Sequence, residues 1–123
     1  MRIYVVDDDP SLRGFIKRWL AAYRTLEVRT FEDGAAAVEA MEQAPPTLLL
    51  SDLDMPGLCG EDVARAAARL PRPPRVVLMS GDLWRLERAR PLAEATLEKP
   101  FSVTELMSIL EAPSGRQGCG PHS

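Results

Sequence analysis

Five short apolar segments recur along the chain, and a longer stretch separates each from the next. They cover residues 3–6, 26–31, 47–51, 75–79 and 95–98, and of these the segment 26–31 alternates between apolar and polar residues. A bounded apolar run of this length is typical of a strand that is buried on both faces, as strands are in a parallel sheet. Consecutive parallel strands need a crossover connection, which is usually a helix. The spacing therefore predicts alternating strands and helices around one parallel sheet.

The stretches after the five apolar segments have helical features. They cover residues 11–23, 34–44, 61–70, 82–94 and 101–112, and the first has Phe15 and Tyr23 on its apolar face. Asp33 and Ser102 are suited to cap the second and fifth helices, the latter with Glu105 in a capping box, and Pro91 predicts a break in the fourth helix. We therefore expect an α/β fold: a doubly wound five-stranded parallel sheet with helices on both faces, in the flavodoxin-like (βα)5 order.

Length and charge restrict the kind of protein further. The 123 residues suffice for one domain, which we expect to span residues 1–112, with residues 113–123 as a flexible tail or linker start. The net charge of −3 argues against direct nucleic-acid binding, which requires a basic patch. No apolar run approaches the roughly 20 residues of a membrane span, and residues 3–6 run into acids and not into a signal-peptide pattern. The expected location is cytoplasmic, without membrane contact.

Cysteine and histidine are scarce. Cys59 and Cys119 are the only cysteines, and without an export signal we expect two free thiols. His122 is the only histidine and is the penultimate residue of the sequence. This placement disfavours a nucleophile–histidine pair of the kind that hydrolases use.

Reactive side chains follow four of the five predicted strands. Acids at residues 7–9 follow the first strand, Asp52 the third, Ser80 the fourth and Lys99 the fifth. Because the carboxyl ends of parallel strands meet at one edge, where ligands bind in such sheets, these groups are expected to converge there. Each alone is more ordinarily a helix cap, a turn residue or a surface charge. The prediction of a site depends on their coincidence.

The convergent groups are suited to phosphoryl transfer. Crowded carboxylates need a counter-ion, and oxygen ligands without cysteine or histidine favour Mg²⁺. Lys99 would supply a positive charge, and the Ser80 hydroxyl would donate a hydrogen bond to a phosphoryl group. Asp52 is the candidate nucleophile, because carboxylates can form acyl phosphates.

Four sequence blocks resemble the signature of response-regulator receiver domains. They are residues 5–10 (VVDDDP), 51–57 (SDLDMPG), 78–81 (LMSG) and 98–101 (EKPF), and their order and spacing match across about residues 1–112. The resemblance implies a signalling domain and not an enzyme, although it would take part in its own phosphorylation and dephosphorylation. The implied phosphodonor is a histidine kinase or histidine phosphotransfer protein. The implied output is a downstream effector, and a homodimer through the fourth-helix and fifth-helix face is a further expectation.

The resemblance also implies a role for each site residue. Asp52 would be the phosphoacceptor, with Asp8 and Asp52 as direct Mg²⁺ ligands, the Asp54 backbone carbonyl as a third ligand and Asp7 acting mostly through water. Ser80 would donate a hydrogen bond to the phosphoryl group, and Lys99 would pair with it. The Lys99–Pro100 peptide bond is similar to one that is cis in the family.

The sequence departs from the family pattern at three places. Cys59 stands where an aspartate is usual, which changes loop capping and not chemistry. Thr96 stands where an aromatic switch residue is usual, and residues 90–95 lack the usual Gly-Ala step. We therefore expect any switch to use residues 80–92. In that segment Trp84 is interpreted as a packing residue, with a partner-facing role as the alternative, and Arg85, like Arg88 and Arg90, as part of a solvated face.

Two other functions compete with the receiver interpretation. The motif Asp52-Leu53-Asp54 also resembles the nucleophile motif of haloacid-dehalogenase-like phosphatases. That family has this motif on its first strand, whereas here an acid cluster precedes it. The other alternative is a receiver that only docks and is never phosphorylated, which the retained acids and Lys99 disfavour.

Overall fold

The computed structural model describes residues 1–23 and 25–112, and strands and helices alternate along them. The strands are β1 (Arg2–Val6), β2 (Glu27–Phe31), β3 (Leu48–Asp52), β4 (Arg75–Ser80) and β5 (Ala95–Glu98). The helices are α1 (Pro10–Leu20), α2 (Gly34–Gln43), α3 (Gly60–Ala68), α4 (Leu83–Ala89) and α5 (Val103–Glu111), with a 3₁₀ turn (Arg90–Leu92) after α4. In this described part, none of the helices has both the length and the apolar character to cross a bilayer.

The five strands form one sheet in the order β2-β1-β3-β4-β5, and all neighbours are parallel. The register of the central strands pairs Val6 of β1 with Ser51 of β3, and Asp52 of β3 with Met79 of β4. This is the doubly wound order in which the order of the strands reverses between β1 and β3. The predicted fold class is confirmed.

Alternating residues of the strands point into two separate cores. Tyr4, Leu49 and Leu78 pack with α2, α3 and α4 on one face of the sheet. Ile3 and Leu50 pack with α1 and α5 on the other face. Because both faces are covered, β3 has no exposed residue, and this explains the apolar run at residues 48–50.

Most of the predicted helix signals are confirmed. The Asp33 side chain caps α2, and Ser102 and Glu105 form the capping box at α5. The fourth helix ends before Pro91, which lies in the 3₁₀ turn, because proline removes a helical hydrogen-bond donor.

The prediction for the first helix is wrong at its end. The helix stops at Leu20, so that Tyr23 lies beyond it and is 44% exposed. Phe15, also assigned to the apolar face, is 42% exposed and stacks on Trp19 at a centroid distance of 3.8 Å. The buried face of α1 is therefore narrower than the apolar spacing indicates. The predicted tail at residues 113–123 lies outside the described residues.

Gly60, the first residue of α3, lies against the backbone at the end of β3. A Cβ atom at residue 60 would lie 2.4 Å from the carbonyl oxygen of Asp52 and 2.8 Å from the Cα of Leu53. Both distances are shorter than a carbon atom can tolerate, and the obstructing atoms are backbone atoms. A glycine is therefore required where α3 begins behind Asp52.

We predict that Gly60→Ala lowers the free energy of unfolding by about 2 kcal/mol, because overpacking forces the backbone to shift. Urea denaturation followed by circular dichroism measures this change. Gly14→Ala in α1 is the matched control, since a Cβ there meets nothing within 4 Å. The control should gain about 0.5–1 kcal/mol from helix propensity. Equal stability of both variants would contradict the steric argument.

Candidate functional site

Polar side chains from four strands meet at the carboxyl edge of the sheet. β3 ends at Asp52 and β4 at Ser80, while Asp7 and Lys99 directly follow β1 and β5. These four strands are consecutive neighbours in the sheet. Asp7 and Ser80 have no exposed surface, and Asp52 is 4% exposed. Buried polar groups of this kind are stable only when they have partners.

Lys99 is the partner of two of the buried acids. Its Nζ lies 2.7 Å from Oδ2 of Asp7 and 3.3 Å from Oδ1 of Asp52. The backbone of Lys99 is held by a hydrogen bond that its N–H donates to the Ser80 carbonyl, at 2.9 Å. The Lys99–Pro100 peptide bond is cis, as the resemblance implied. One ammonium group thus offsets the charge at the ends of both β1 and β3.

The first turn after β1 holds Asp7 in place. The Asp9 N–H donates to Oδ1 of Asp7 at 2.8 Å, and Asp9 itself caps α1 by accepting from the Ser11 N–H at 2.9 Å. Arg13, on the first turns of α1, donates from its guanidinium to the Asp7 carbonyl at 2.6 Å. Asp9 is therefore a capping residue, and sequence reasoning gave Arg13 no role.

Three carboxylates have the arrangement that a hard cation needs. Asp7, Asp8 and Asp52 each offer an oxygen, and these oxygens all lie within 4.8 Å of one another. Asp8 is exposed whereas the other two are buried. A divalent ion with oxygen ligands, such as Mg²⁺, fits this donor set and would keep an open side for water or phosphate oxygens.

The pKa values of the central groups reflect this crowding. Burial and the charge of Asp7 raise the pKa of Asp52 above its ordinary value, although Lys99 acts in the opposite direction. Burial alone would lower the pKa of Lys99, but its hydrogen bond to Asp7 and the charges of Asp7 and Asp52 raise it. The ammonium is thus held protonated, while the Asp52 carboxylate is destabilised in its ionised form. A cation beside Asp52 would relieve that destabilisation.

The Ser80 hydroxyl is engaged with Asp54 in this structure. It donates to Oδ2 of Asp54 at 2.9 Å and accepts the Asp82 N–H at 3.0 Å. Asp54 follows β3 by two residues, and its side chain is 51% exposed. The structure therefore brings together Asp7, Asp8, Asp52 and Lys99, and pairs Ser80 with Asp54.

Arg85 of α4 joins this second group, which sequence reasoning missed. Its guanidinium forms an ion pair with Asp54 and another with Glu61 at 3.1 Å, and donates to the Leu53 carbonyl at 3.0 Å. The interpretation of Arg85 as part of a solvated face is therefore wrong. No local pattern in the sequence relates residue 85 to residues 54 and 61, because the contact depends on how α4 lies against the loop after β3.

The side chain of Trp84 points away from the protein. It is 77% exposed, and the preceding Leu83 is 53% exposed. The prediction that Trp84 packs into the fold is therefore wrong. Its exposure favours the alternative, a side chain that is available to a partner.

Cys59 occupies the capping position of α3 without capping it. Its side chain makes no hydrogen bond to the first turn of the backbone, and its thiol lies 3.2 Å from the Asp62 carboxylate. It is a free thiol, and burial raises its pKa. The expected change in loop capping is confirmed, whereas Cys119 and His122 lie outside the described residues.

Comparison with known proteins identifies relatives over most of the chain. The family model for the response regulator receiver domain matches residues 3–111. The response regulator receiver protein CpdR of Brucella abortus is 30% identical over 117 residues, which cover 89% of this chain and 93% of CpdR. The DNA-binding transcriptional regulator NtrC of Escherichia coli is 36% identical over 112 residues, which are 89% of this chain but 24% of NtrC. The chain therefore spans about a quarter of the length of NtrC.

Solved structures agree with the fold. The response regulator TrrA of Thermotoga maritima, in complex with Mg²⁺ and beryllofluoride, has a TM-score of 0.79 and is 27% identical, covering 89% of this chain and 96% of that one. The chemotaxis response regulator CheY4 of Vibrio cholerae has a TM-score of 0.81 at 23% identity, covering 89% of this chain and 95% of that one. The second likeness supports the fold alone.

The charge balance at the sheet edge predicts the effect of removing Lys99. We expect Lys99→Met to lower the free energy of unfolding by about 3 kcal/mol in metal-free buffer, because Asp7 is then buried without its ion-pair partner. Denaturant unfolding with and without Mg²⁺ measures this change. In Mg²⁺ the loss should be smaller, since the cation replaces part of the missing charge.

Lys17→Met on the exposed side of α1 is the matched control for this experiment. It removes the same charge at a surface position, and its effect should stay within about 0.5 kcal/mol. If Lys99→Met cost no more than this control, Lys99 would not stabilise the buried acids.

Proposed function

This chain belongs to the response regulator receiver domain family, and from that premise we propose that it accepts a phosphoryl group on Asp52 with Mg²⁺ bound beside it. The observation that carries this proposal is the clustering of Asp7, Asp8 and Asp52, with the ammonium of Lys99 in contact with Asp7 and Asp52. Acids on one side and a cation on the other match the charges of a metal ion and a phosphoryl group. Members of this family are domains of signalling proteins, and the family is not one of enzymes.

In the proposed reaction, a carboxylate oxygen of Asp52 attacks the phosphorus of a phosphohistidine. The new P–O bond forms as the P–N bond breaks, and the imidazole nitrogen keeps the electron pair of that bond. Lys99 would pair with the phosphoryl oxygens, for which its raised pKa keeps it charged. The Ser80 hydroxyl would turn from Asp54 to donate to a phosphoryl oxygen. The protein thus supplies positioning and charge neutralisation, which are the main contributions to this class of reaction.

The metal ligands are also part of the proposal. Asp8 and Asp52 would hold Mg²⁺ through their carboxylates and Asp54 through its backbone carbonyl, with Asp7 acting mostly through water. When bound, the ion neutralises phosphoryl oxygens and orients them. The donor set supports this role, because all the candidate ligands are oxygens and the carboxylates are preassembled within 4.8 Å.

The partners proposed are those that the chemistry requires. A histidine kinase or histidine phosphotransfer protein would supply the phosphoryl group, in the cytoplasm, and a downstream effector would respond to it. Exposed Trp84 and Leu83 on α4 support a partner-contacting role for that helix. The domain division at residue 112, a homodimer through α4 and α5, and the lack of direct nucleic-acid or membrane binding remain predictions.

The alternative of a haloacid-dehalogenase-like phosphatase has less support. The family match over residues 3–111 favours a receiver, and the Asp52-Leu53-Asp54 motif lies on the third strand. A docking-only receiver would not need the buried Lys99–Asp7 pair. The two alternatives differ from the proposal in turnover and in phosphate uptake, so one assay separates all three.

We predict that phosphoramidate, a small donor with a P–N bond, adds one phosphate per chain in the presence of Mg²⁺. Asp52→Ala should take up none, because the other carboxylate that pairs with Lys99, that of Asp7, has no exposed surface from which to reach the donor. Excess chelator should abolish uptake by the unsubstituted protein. Intact-mass spectrometry counts the phosphates, and release of inorganic phosphate is measured in parallel.

Asp33→Asn is the matched control, since Asp33 also follows a strand but its carboxylate caps α2, and asparagine keeps the cap. It should be phosphorylated like the unsubstituted protein. A phosphate on the Asp52→Ala variant, or full uptake in chelator, would contradict the proposal. Sustained phosphate release at many equivalents per chain would support the phosphatase, and no uptake by any variant would support the docking-only receiver.

A further inference from the structure

The guanidinium of Arg85 contacts three residues of the protein, Leu53, Asp54 and Glu61. Besides its ion pair with Asp54, it donates to the Leu53 carbonyl at 3.0 Å and makes a two-point contact with Glu61, at 3.1 and 3.4 Å. Its side chain is 26% exposed, whereas Arg88 on the same helix points to solvent. A single side chain of α4 therefore connects the loop after β3 with the first turn of α3.

The Asp54 carboxylate lies between Arg85 and Ser80. Its Oδ1 accepts from Arg85, and its Oδ2 accepts the Ser80 hydroxyl at 2.9 Å. The Asp54 side chain is 51% exposed, so other rotamers would be equally well hydrated. It therefore stays in one rotamer only if contacts with the protein hold it there. The ion pair with Arg85 supplies that contact, and the hydrogen bond from Ser80 depends on it.

The Ser80 hydroxyl has one proton and can donate it to one acceptor at a time. In this structure the proton goes to Asp54, and the oxygen accepts the Asp82 N–H at 3.0 Å. A phosphoryl group on Asp52 would have to take the hydroxyl from Asp54. The strength of the hydrogen bond from Ser80 to Asp54 therefore determines how readily the hydroxyl can turn to a phosphoryl group.

We propose that Arg85 is a positioning residue: by holding the Asp54 carboxylate, it keeps the Ser80 hydroxyl directed away from Asp52 until a phosphoryl group competes for it. This inference rests on the proposed phosphorylation of Asp52. It has a consequence for the switch, because the hydroxyl that leaves Asp54 belongs to the chain that continues into α4. When the Ser80 hydroxyl changes acceptor, the position of the helix that carries Arg85 would change with it. This coupling would not need the aromatic switch residue that Thr96 replaces.

A double-mutant cycle tests the inference with beryllofluoride as the phosphoryl mimic and Mg²⁺ present. The dissociation constant of beryllofluoride is measured by ¹⁹F NMR for the unsubstituted protein, Arg85→Gln, Ser80→Ala and the double variant. Loss of a positive charge near the site weakens binding of the anion by itself, and the Ser80→Ala background measures that effect separately. Relative to this background, Arg85→Gln should tighten binding by about fivefold, the net scale of one typical hydrogen bond.

Two further variants sharpen the test. Arg85→Lys keeps a positive charge beside Asp54 and should restore most of the original affinity for beryllofluoride. If Arg85 had only a structural role, its effect would not depend on Ser80, and lysine would not rescue it. Arg88→Gln is the matched control, because it removes an arginine from the exposed side of α4 and should leave the affinity unchanged. Melting curves of all variants verify that they are folded.

Each result decides the inference. A fivefold coupling between Arg85 and Ser80, with rescue by lysine, supports it. If Arg85→Gln changes the dissociation constant of beryllofluoride equally with serine and with alanine at residue 80, the inference is overturned. In that case normal binding by the unsubstituted protein would leave the proposed function intact. Failure of the unsubstituted protein to bind beryllofluoride, or binding that persists in Asp52→Asn, overturns the proposed function and the inference with it.

Discussion

The ion pair between Lys99 and Asp7 is the interaction on which the site depends. The two residues are 92 positions apart, and their charged atoms lie 2.7 Å apart at the edge of the sheet. Without the ammonium, the buried carboxylates of Asp7 and Asp52 would repel each other with little water to screen them. The pair therefore allows acids to remain at the ends of two central strands, where a soluble fold would otherwise avoid them.

The sheet order explains why these distant residues meet. β1 and β3 are neighbours although α1, β2 and α2 separate them in sequence, and β4 and β5 extend the sheet on the side of β3. Parallel strands bring all their carboxyl ends to one edge, so β1, β3, β4 and β5 each contribute a side chain to the same small region. Gly60 then lets α3 begin directly behind Asp52. The chemistry of the edge and the packing of the two cores follow from the same topology.

Sequence reasoning was most accurate where a physical signal is local. Apolar runs identify buried strands, Pro91 ends a helix wherever it occurs, and Ser102 with Glu105 defines a cap within one turn. It failed where the answer depends on which side of a short helix faces the protein. α4 has seven residues, too few for a periodicity that distinguishes the inward Arg85 from the outward Trp84. The cluster of acids was predictable from topology, whereas the Asp54–Arg85–Glu61 contacts are set by packing alone.

A crystal structure of the protein with Mn²⁺ and beryllofluoride tests the central proposal most directly. Anomalous scattering from manganese locates the metal independently of the protein density. The proposal predicts beryllium bonded to a carboxylate oxygen of Asp52, manganese between Asp8 and Asp52, Lys99 paired with a fluorine, and the Ser80 hydroxyl turned from Asp54 towards the fluorines. Beryllofluoride on another side chain, or manganese away from these carboxylates, would contradict the assignment of this edge of the sheet as the phosphorylation site.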